Sequence, residues 1–425
     1  MPDPAVAPHA LVPITPAERN ITIDVIRGFA LLGILTVNID FFAHPIQRVL
    51  FPIDPQTGAA DRVVDWCVRF FAEGKFYSLF SFLFGLGFGL QLLRSKEQGA
   101  RIGPVYARRL GILFLIGLVH LLFIWAGDIL TFYAVAGFAL LLFRNAKPRT
   151  LVIWIVVLLA LPMALNILAT GAVVGGRMVS PEVAAQIDKA LADQDSEYRS
   201  QLARAEETYA HGTFAEITEQ RGRDGRFILL GYFAMGPQIL AMFLIGLSFA
   251  RRGVFSDVDA HRALFRKLLV WGIPLAIAGN GVYATIIQDV PRIEPSVELL
   301  IGMLGYGIGT PALCLVYASG ATLLLRLPAW RKRLQPLAAA GRIPLSNYLA
   351  QSVICTFVFY SYGLGLFGRP GRIEETLVAF VVYPVLVVLS VWWTSRRQYG
   401  PLEWLWRKGT YGRSFPVIPH PAALH

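Results

Sequence analysis

Ile23-Asp24-Val25-Ile26-Arg27-Gly28-Phe29-Ala30-Leu31-Leu32-Gly33-Ile34-Leu35-Thr36-Val37-Asn38-Ile39-Asp40-Phe41-Phe42-Ala43 is the stretch that decides the fold. It is long enough to cross a bilayer, whose hydrocarbon core takes about 20 apolar residues as a helix. Its few polar groups sit mainly at the ends, Asp24 and Arg27 at one and Asn38 and Asp40 at the other. Runs of this kind recur along the whole chain. The 425 residues are 55% hydrophobic and only 16% charged, with a mean hydropathy of +0.54. A soluble domain carries roughly 25% charged residues, so the composition excludes an ordinary soluble protein. The expected class is an all-α, polytopic membrane bundle.

Ten spans are expected, at about 23–43, 66–93, 108–126, 129–143, 150–172, 227–250, 266–288, 297–325, 343–367 and 375–395. The third and fourth form a tight hairpin around Ala126-Gly127-Asp128. The second divides at Gly74 into an interfacial helix and a span. Basic residues fix the expected orientation. Arg94, Lys96, Arg101, Arg108 and Arg109 follow the second span, and similar clusters follow the fourth, sixth, eighth and tenth. With Arg19 these make 24 lysines and arginines on one side, against 7 in the short opposite connections. The positive-inside rule then puts both termini in the cytoplasm. It also explains the net charge of +11 without nucleic acid. Cys67, Cys314 and Cys355 form no CxxC pair, which excludes a disulfide scaffold or a cysteine zinc site.

The expected division is a cytoplasmic tail (1–22), a five-helix membrane half (23–172), an outer flap (173–226), a second five-helix half (227–395) and a cytoplasmic amphipathic tail (396–425). Ser180-Pro181-Glu182 reads as a helix start, and His211-Gly212-Thr213 as a break. The flap is helical on this reading, with a loose linker as the alternative.

Ionisable groups at membrane depth are costly and generally face a cavity or a partner. Asp24 and Arg27 are one turn apart and can neutralise each other. Arg27 and Asn38 are three turns apart and share a helix face. A guanidinium there could hold phosphate by a bidentate contact. His120 is the only histidine within an apolar span, and Asp128 lies just beyond it. Histidine suits proton transfer near neutral pH, and a carboxylate would fix its tautomer. The bland alternatives are an interhelical tie for His120 and a helix cap for Asp128. Lys75 could snorkel or reach into a cavity. Ser346 and Asn347 open the ninth span and point inward. Gly85, Gly87 and Gly89 suggest close helix packing, since no strand precedes them.

These motifs resemble the YeiB-like family of bacterial membrane proteins (domain of unknown function, family 418). The resemblance rests on Asp24-x-x-Arg27-Gly28 with Asn38, Gly74-Lys75-Phe76 with Ser78 and Gly85, and His120 with Gly127-Asp128. It continues through Gly341-Arg342 with Leu345-Ser346-Asn347-Tyr348 and Gly400-Pro-Leu-Glu403-Trp404-Leu-Trp-Arg407, covering roughly 19–412. More distantly, the opening of span one resembles transmembrane acyltransferases, namely acyltransferase-3 proteins and the heparan glucosamine N-acetyltransferase group. That resemblance implies acyl transfer from cytoplasmic acyl-CoA to an envelope glycan, lipid or small metabolite. Arg27 would contact the CoA phosphates, with Asp24, Lys75, Ser346 and Asn347 as further substrate contacts, and no metal. The acyltransferase-3 histidine position is Asn38 here, and the glucosamine-group position is Val49. His120 is therefore taken as the base, with Asp128 orienting it and Asn38 polarising the thioester, and His44 is the runner-up. A transporter for a small polar or lipidic solute, or a structural or sensory role, are the competing classes. The acyl group, the acceptor and the oligomeric state are not legible.

Overall fold

The computed structural model describes residues 19–100 and 102–412. Most of the tail expected at 1–22, and residues 413–425 of the other tail, lie outside it. The regular structure of the described residues is all helix, with no strand among them. Eight helical stretches are long and apolar enough to cross a membrane.

Helix α1 (Ile21–Ala43) starts on Asn20, whose side chain accepts the Thr22 N–H. α2 (Ala59–Phe71) and α3 (Lys75–Glu97) are joined by a tight turn in which Gly74 adopts φ +84°. α4 (Ile102–Phe123) and α5 (Leu130–Leu142) form the expected hairpin. α6 (Pro148–Arg177) is the most apolar of the candidate spans, with mean hydropathy 2.7, and it buries only Leu151, Leu158 and Thr170. Water would not tolerate such a face, so it lies against lipid.

Two of the ten expected spans are short. α5 has 13 residues and α13 (Pro344–Phe359) has 16, about 20 and 24 Å at 1.5 Å per residue. The ninth span, expected to reach residue 367, stops at Phe359. Beyond it the chain turns through Gly363, Gly365 and Gly368, the last two at positive φ.

The segment between α6 and the following span is helical. α7 (Pro181–His211) is capped by the Ser180 hydroxyl, with Pro181 in its first turn. The break at 211–213 is real but brief. α8 (Phe214–Arg251) begins at once, with a reciprocal capping box between Thr213 and Glu216, and runs unbroken for 38 residues. The sixth span therefore starts thirteen residues before the expected 227. The charged stretch Glu216–Arg226 had looked like soluble chain, yet it continues the same helix. α7 is tied down by Asp224, which accepts from Tyr209 Oη at 2.7 Å and from Gln47 Nε2 at 2.8 Å.

The second half comprises α9 (Arg262–Ile286), α10 (Val297–Leu324), the short α11 (Pro328–Arg333) and α12 (Gln335–Arg342), then α13, α14 (Arg372–Arg396) and α15 (Pro401–Tyr411). Glycine sets two close crossings. A Cβ on Gly85 of α3 would stand 1.9 Å from the Phe243 carbonyl oxygen of α8, and one on Gly246 of α8 2.0 Å from that of Phe82. Gly85 and Gly89 are thus helix-packing positions, as small residues are in membranes, whereas a Cβ on Gly87 would meet nothing within 4 Å, and that residue lines a cavity instead. Gly28 and Gly341 do the same for α1 and α12.

Candidate active site

α1 carries one cavity at each end. The near cavity, of about 330 Å³, opens beside the start of α1 and reaches along it from Asn20 to Ile34. Six guanidinium-bearing residues line it: Arg19, Arg27, Arg94, Arg109, Arg342 and Arg407. Among the described residues the only carboxylates in its lining are Asp24 and Glu403. Asp24 is paired with Arg27 at 2.8 Å. Glu403 accepts the Leu345 and Ser346 N–H groups at 2.7 and 3.0 Å and the Ser346 hydroxyl at 2.6 Å. Burial raises the Glu403 carboxyl above its ordinary range against those bonds. The mouth is therefore strongly cationic. Deeper in, the lining turns apolar and aromatic, with Phe80, Phe84, Leu113, Leu130, Tyr133 and Tyr348.

Arg27 combines both readings of its sequence. It donates to Asp24 and to the Gly341 carbonyl at 3.0 Å, while a quarter of its side chain stays accessible at the cavity wall. Burial also pushes the Arg19 guanidinium below its usual value at the rim.

The histidine–aspartate pair lies beside the deep end. His120 Nδ1 is 2.9 Å from Asp128 Oδ1, and both side chains are fully buried. The other oxygen, Oδ2, accepts the Thr131 N–H at 2.7 Å, so Asp128 caps α5 and orients the imidazole at once. Gly117, one turn below His120, leaves the room for this. A Cβ there would stand 2.8 Å from Oδ2. Tyr232 Oη donates to the Asp128 carbonyl. A carboxylate at Nδ1 favours the tautomer with its proton there, which leaves a lone pair on Nε2. Nε2 has no hydrogen-bond partner among the described residues. Two aromatic rings flank the imidazole. Tyr348, from the near-cavity wall, is 5.2 Å away, and Trp125 is 6.2 Å away. Trp125 donates to the Phe41 carbonyl at 3.4 Å, and Phe41 lines the cavity at the other end.

That far cavity, of about 340 Å³, is reached from Val37, Asp40 and Phe41 of α1 and from Asp65, Arg69 and Glu73 around α2. Along α1 the two cavities are separated only by the step from Ile34 to Val37, about 5 Å. Phe76 fills the corresponding level on α3, packed against Gly33. Asn38 sits at this level, half-buried, in the lining of neither.

The remaining expected contacts are elsewhere. Lys75 is fully buried, donates to the Arg69 carbonyl at 2.6 Å and lies near the Tyr283 and Tyr306 rings. Ser346 binds Glu403, tying α13 to α15. Asn347 donates to the Ala340 carbonyl and the Ser390 hydroxyl at 3.0 and 2.9 Å, tying α13 to α12 and α14. His44 belongs to the far end, with Nε2 2.7 Å from Glu375 Oε1. His44, Asp40 and Glu375 bring donor atoms within 4.8 Å of one another. The Arg372 guanidinium already binds Glu375 at 2.9 Å and stands 3.9 Å from Asp40, so this trio holds a cation of the chain's own.

Sequence reasoning had used Arg94 and Arg109 only as topology charges and Arg342 and Arg407 only as topology charges and family motifs, and of the far-end acids it had weighed only Glu73, as a partner for Lys75. The spacing Asp65-x3-Arg69-x3-Glu73 was a usable signal, since it stacks three charges on one helix face.

A bundle of membrane-spanning helices, with a cationic cavity and, behind its Tyr348 wall, a buried histidine–aspartate pair that lines neither cavity, defines the class. The chain belongs to the YeiB-like family of membrane proteins. A family described as "Protein of unknown function (DUF418)" matches residues 249–413. The chain is 33% identical to "Uncharacterized protein YxaH" of Bacillus subtilis (strain 168), over 95% of this chain and 96% of that one. It is 30% identical to "Uncharacterized protein YeiB" of Escherichia coli (strain K12), over 94% and 98%. No solved structure matches the chain significantly.

Proposed function

We propose that the protein is a membrane-bound acyltransferase, taking an acyl group from cytoplasmic acyl-CoA and passing it to a glycan, lipid or small metabolite of the cell envelope. The observation that carries this reading is the near cavity, a cationic mouth leading to an aromatic shaft whose Tyr348 touches His120. The positive-inside rule puts that mouth in the cytoplasm of an inner-membrane protein with both termini inside, where acyl-CoA is found. Six arginines against two engaged carboxylates suit a ligand carrying several phosphate charges. The apolar shaft suits the thioester arm and acyl chain.

His120 Nε2 takes the proton of the acceptor hydroxyl or amine as that atom attacks the thioester carbonyl. Asp128 stabilises the imidazolium that forms. The new acyl–oxygen or acyl–nitrogen bond replaces the carbon–sulfur bond, and the departing thiolate receives the proton. On this reading Asn38, which lines neither cavity, polarises the thioester carbonyl.

The test uses the full chain in nanodiscs. Long-chain and acetyl-CoA should raise its unfolding temperature, and Arg27→Ala and Arg342→Ala should remove that shift. Release of free thiol in the presence of envelope extract should disappear in His120→Gln. Solute uptake into proteoliposomes with neither CoA binding nor thiol release would replace this reading with the transporter.

A further inference from the structure

The two cavities differ in electrostatic character. The near one has a large cationic surplus. In the far one, the carboxylates of Asp40, Asp61, Asp65 and Glu73 face the guanidiniums of Arg48, Arg69 and Arg372, and the charges almost cancel. Such a wall has no large surplus of either sign to draw in an ion, yet it is dense in hydrogen-bonding groups.

Several of those groups are held just beyond bonding distance. Arg48 Nη1 stands 3.7 Å from Asp40 Oδ1, Arg372 Nη1 3.9 Å from Asp40 Oδ2, and Arg372 Nε 3.6 Å from Asp65 Oδ1. Hydrogen bonds need about 3.2 Å or less. The pairs attract but do not saturate one another, and the buried Arg372 Nε has no hydrogen-bond partner among the described residues. Asp61 gives one oxygen to the Ile373 N–H at 2.9 Å and keeps the other. Gln56 and Thr57 add neutral amide and hydroxyl groups to the rim.

A hydroxyl is the group that fits such gaps. It donates one hydrogen bond and accepts others, so it can give its proton to a carboxylate while accepting from the neighbouring guanidinium. Phe41 and Phe51 supply apolar walls. Arg199 of α7 lies over the Phe51 ring at 4.6 Å, which brings the α7 insertion to the mouth. A divalent cation is disfavoured, because Arg372 already stands among the one acid–histidine group of the described residues that could ligate one. At about 340 Å³ the cavity is at the small end of ligand sites, roughly 300–1,000 Å³.

We infer that the far cavity binds a neutral polyhydroxylated ligand, a sugar unit, between Asp40, Arg48 and Arg372. Its role as the acceptor rests on the acyl-transfer reading above, whereas its binding does not.

The experiment is saturation-transfer NMR on the full chain in nanodiscs, free of sugar-headed detergent, with methyl β-glucoside and N-acetylglucosamine as probes. Saturation should reach the sugar ring protons. Asp40→Asn and the half-exposed Arg48→Gln should each weaken binding at least tenfold, while Arg27→Ala, in the other cavity, leaves it unchanged. Absence of transfer to both sugars, transfer indifferent to Asp40→Asn and Arg48→Gln, or calorimetric calcium binding that Asp40→Asn abolishes would overturn the proposal. Sugar binding without any acyl-CoA binding would refute the transfer reading and leave this site standing. The reverse result would refute this site alone.

Discussion

His120 Nδ1 and Asp128 Oδ1 lie 2.9 Å apart across the α4–α5 turn, and neither side chain has any solvent exposure. The carboxylate serves two neighbours at once, the imidazole and the Thr131 N–H. Orientation of the imidazole and capping of the helix therefore depend on one residue, and substitutions must be chosen to separate them.

His120→Gln retains size and hydrogen-bonding capacity but cannot accept a full proton. The rate of acyl transfer should fall by about two to four orders of magnitude, the usual worth of general acid–base catalysis, with the unfolding temperature nearly unchanged. A fully active variant would end the role of His120 as base.

Asp128→Asn keeps an oxygen for the Thr131 cap and loses the charge that orients the ring. Activity should drop while stability changes little. Gly117→Val crowds the same carboxylate and should lower both. Equal stability losses in the two variants would make Asp128 a cap alone.

Arg27→Ala should abolish acyl-CoA binding with folded protein retained, and Arg27→Lys should restore only part, because a point charge does not reproduce a bidentate fork. Disappearance of Arg27→Ala from the membrane would instead make the Asp24 pair a structural anchor.

Orientation is tested by cysteines at two exposed positions in a Cys67→Ser background. Ala203→Cys, on α7, should react with an impermeant thiol reagent added outside intact cells. Ala329→Cys, at the arginine-rich end, should react only after permeabilisation. The reverse pattern would invert the topology.

Glu403 gives a pH dependence with a definite sign. Its folded-state carboxyl is raised above the ordinary value of about 4.3 by burial, so the folded chain holds that proton more tightly than the unfolded one. Its contribution to stability is full below about pH 4.3 and declines as pH rises through the raised value. The unfolding temperature of the parent relative to Glu403→Gln should therefore fall between pH 4.5 and 8. A gap that widens with pH would show that the Leu345 and Ser346 hydrogen bonds outweigh burial. Glu403→Ala, which removes the cap of α13, should cost about 1 kcal/mol or more.

The helices were legible because apolar runs and their caps are local signals. Ser180-Pro181 and the break at 211–213 were read directly from the chain. The start of α8 was missed although Thr213-x-x-Glu216 is a capping-box pattern, because the charges after it suggested solvent and not a helix projecting beyond lipid. The Asp24–Arg27 pair and the His120–Asp128 pair were readable, since each is close in sequence. The ring of arginines was not, because Arg19, Arg94, Arg109, Arg342 and Arg407 come from separate segments and meet only when α1, α3, α4, α12 and α15 pack. Ser346 and Asn347 looked like ligand groups for the opposite reason. Polar residues at a helix start also serve neighbouring helices, and theirs bind Glu403, Ala340 and Ser390.

The step from Ile34 to Val37 has an electrical consequence. Where aqueous cavities enter from both faces, the membrane voltage drops across the thin partition between them and not across the full 30 Å of hydrocarbon. Moving one charge through the whole drop is worth about 2.3 kcal/mol per 100 mV. If the chain transfers acyl groups as proposed, a proton passes from the acceptor to His120 beside that partition, so turnover in sealed vesicles should change with an imposed potassium-diffusion potential. Rates indifferent to voltage would mean that the proton enters and leaves on the same side of the field.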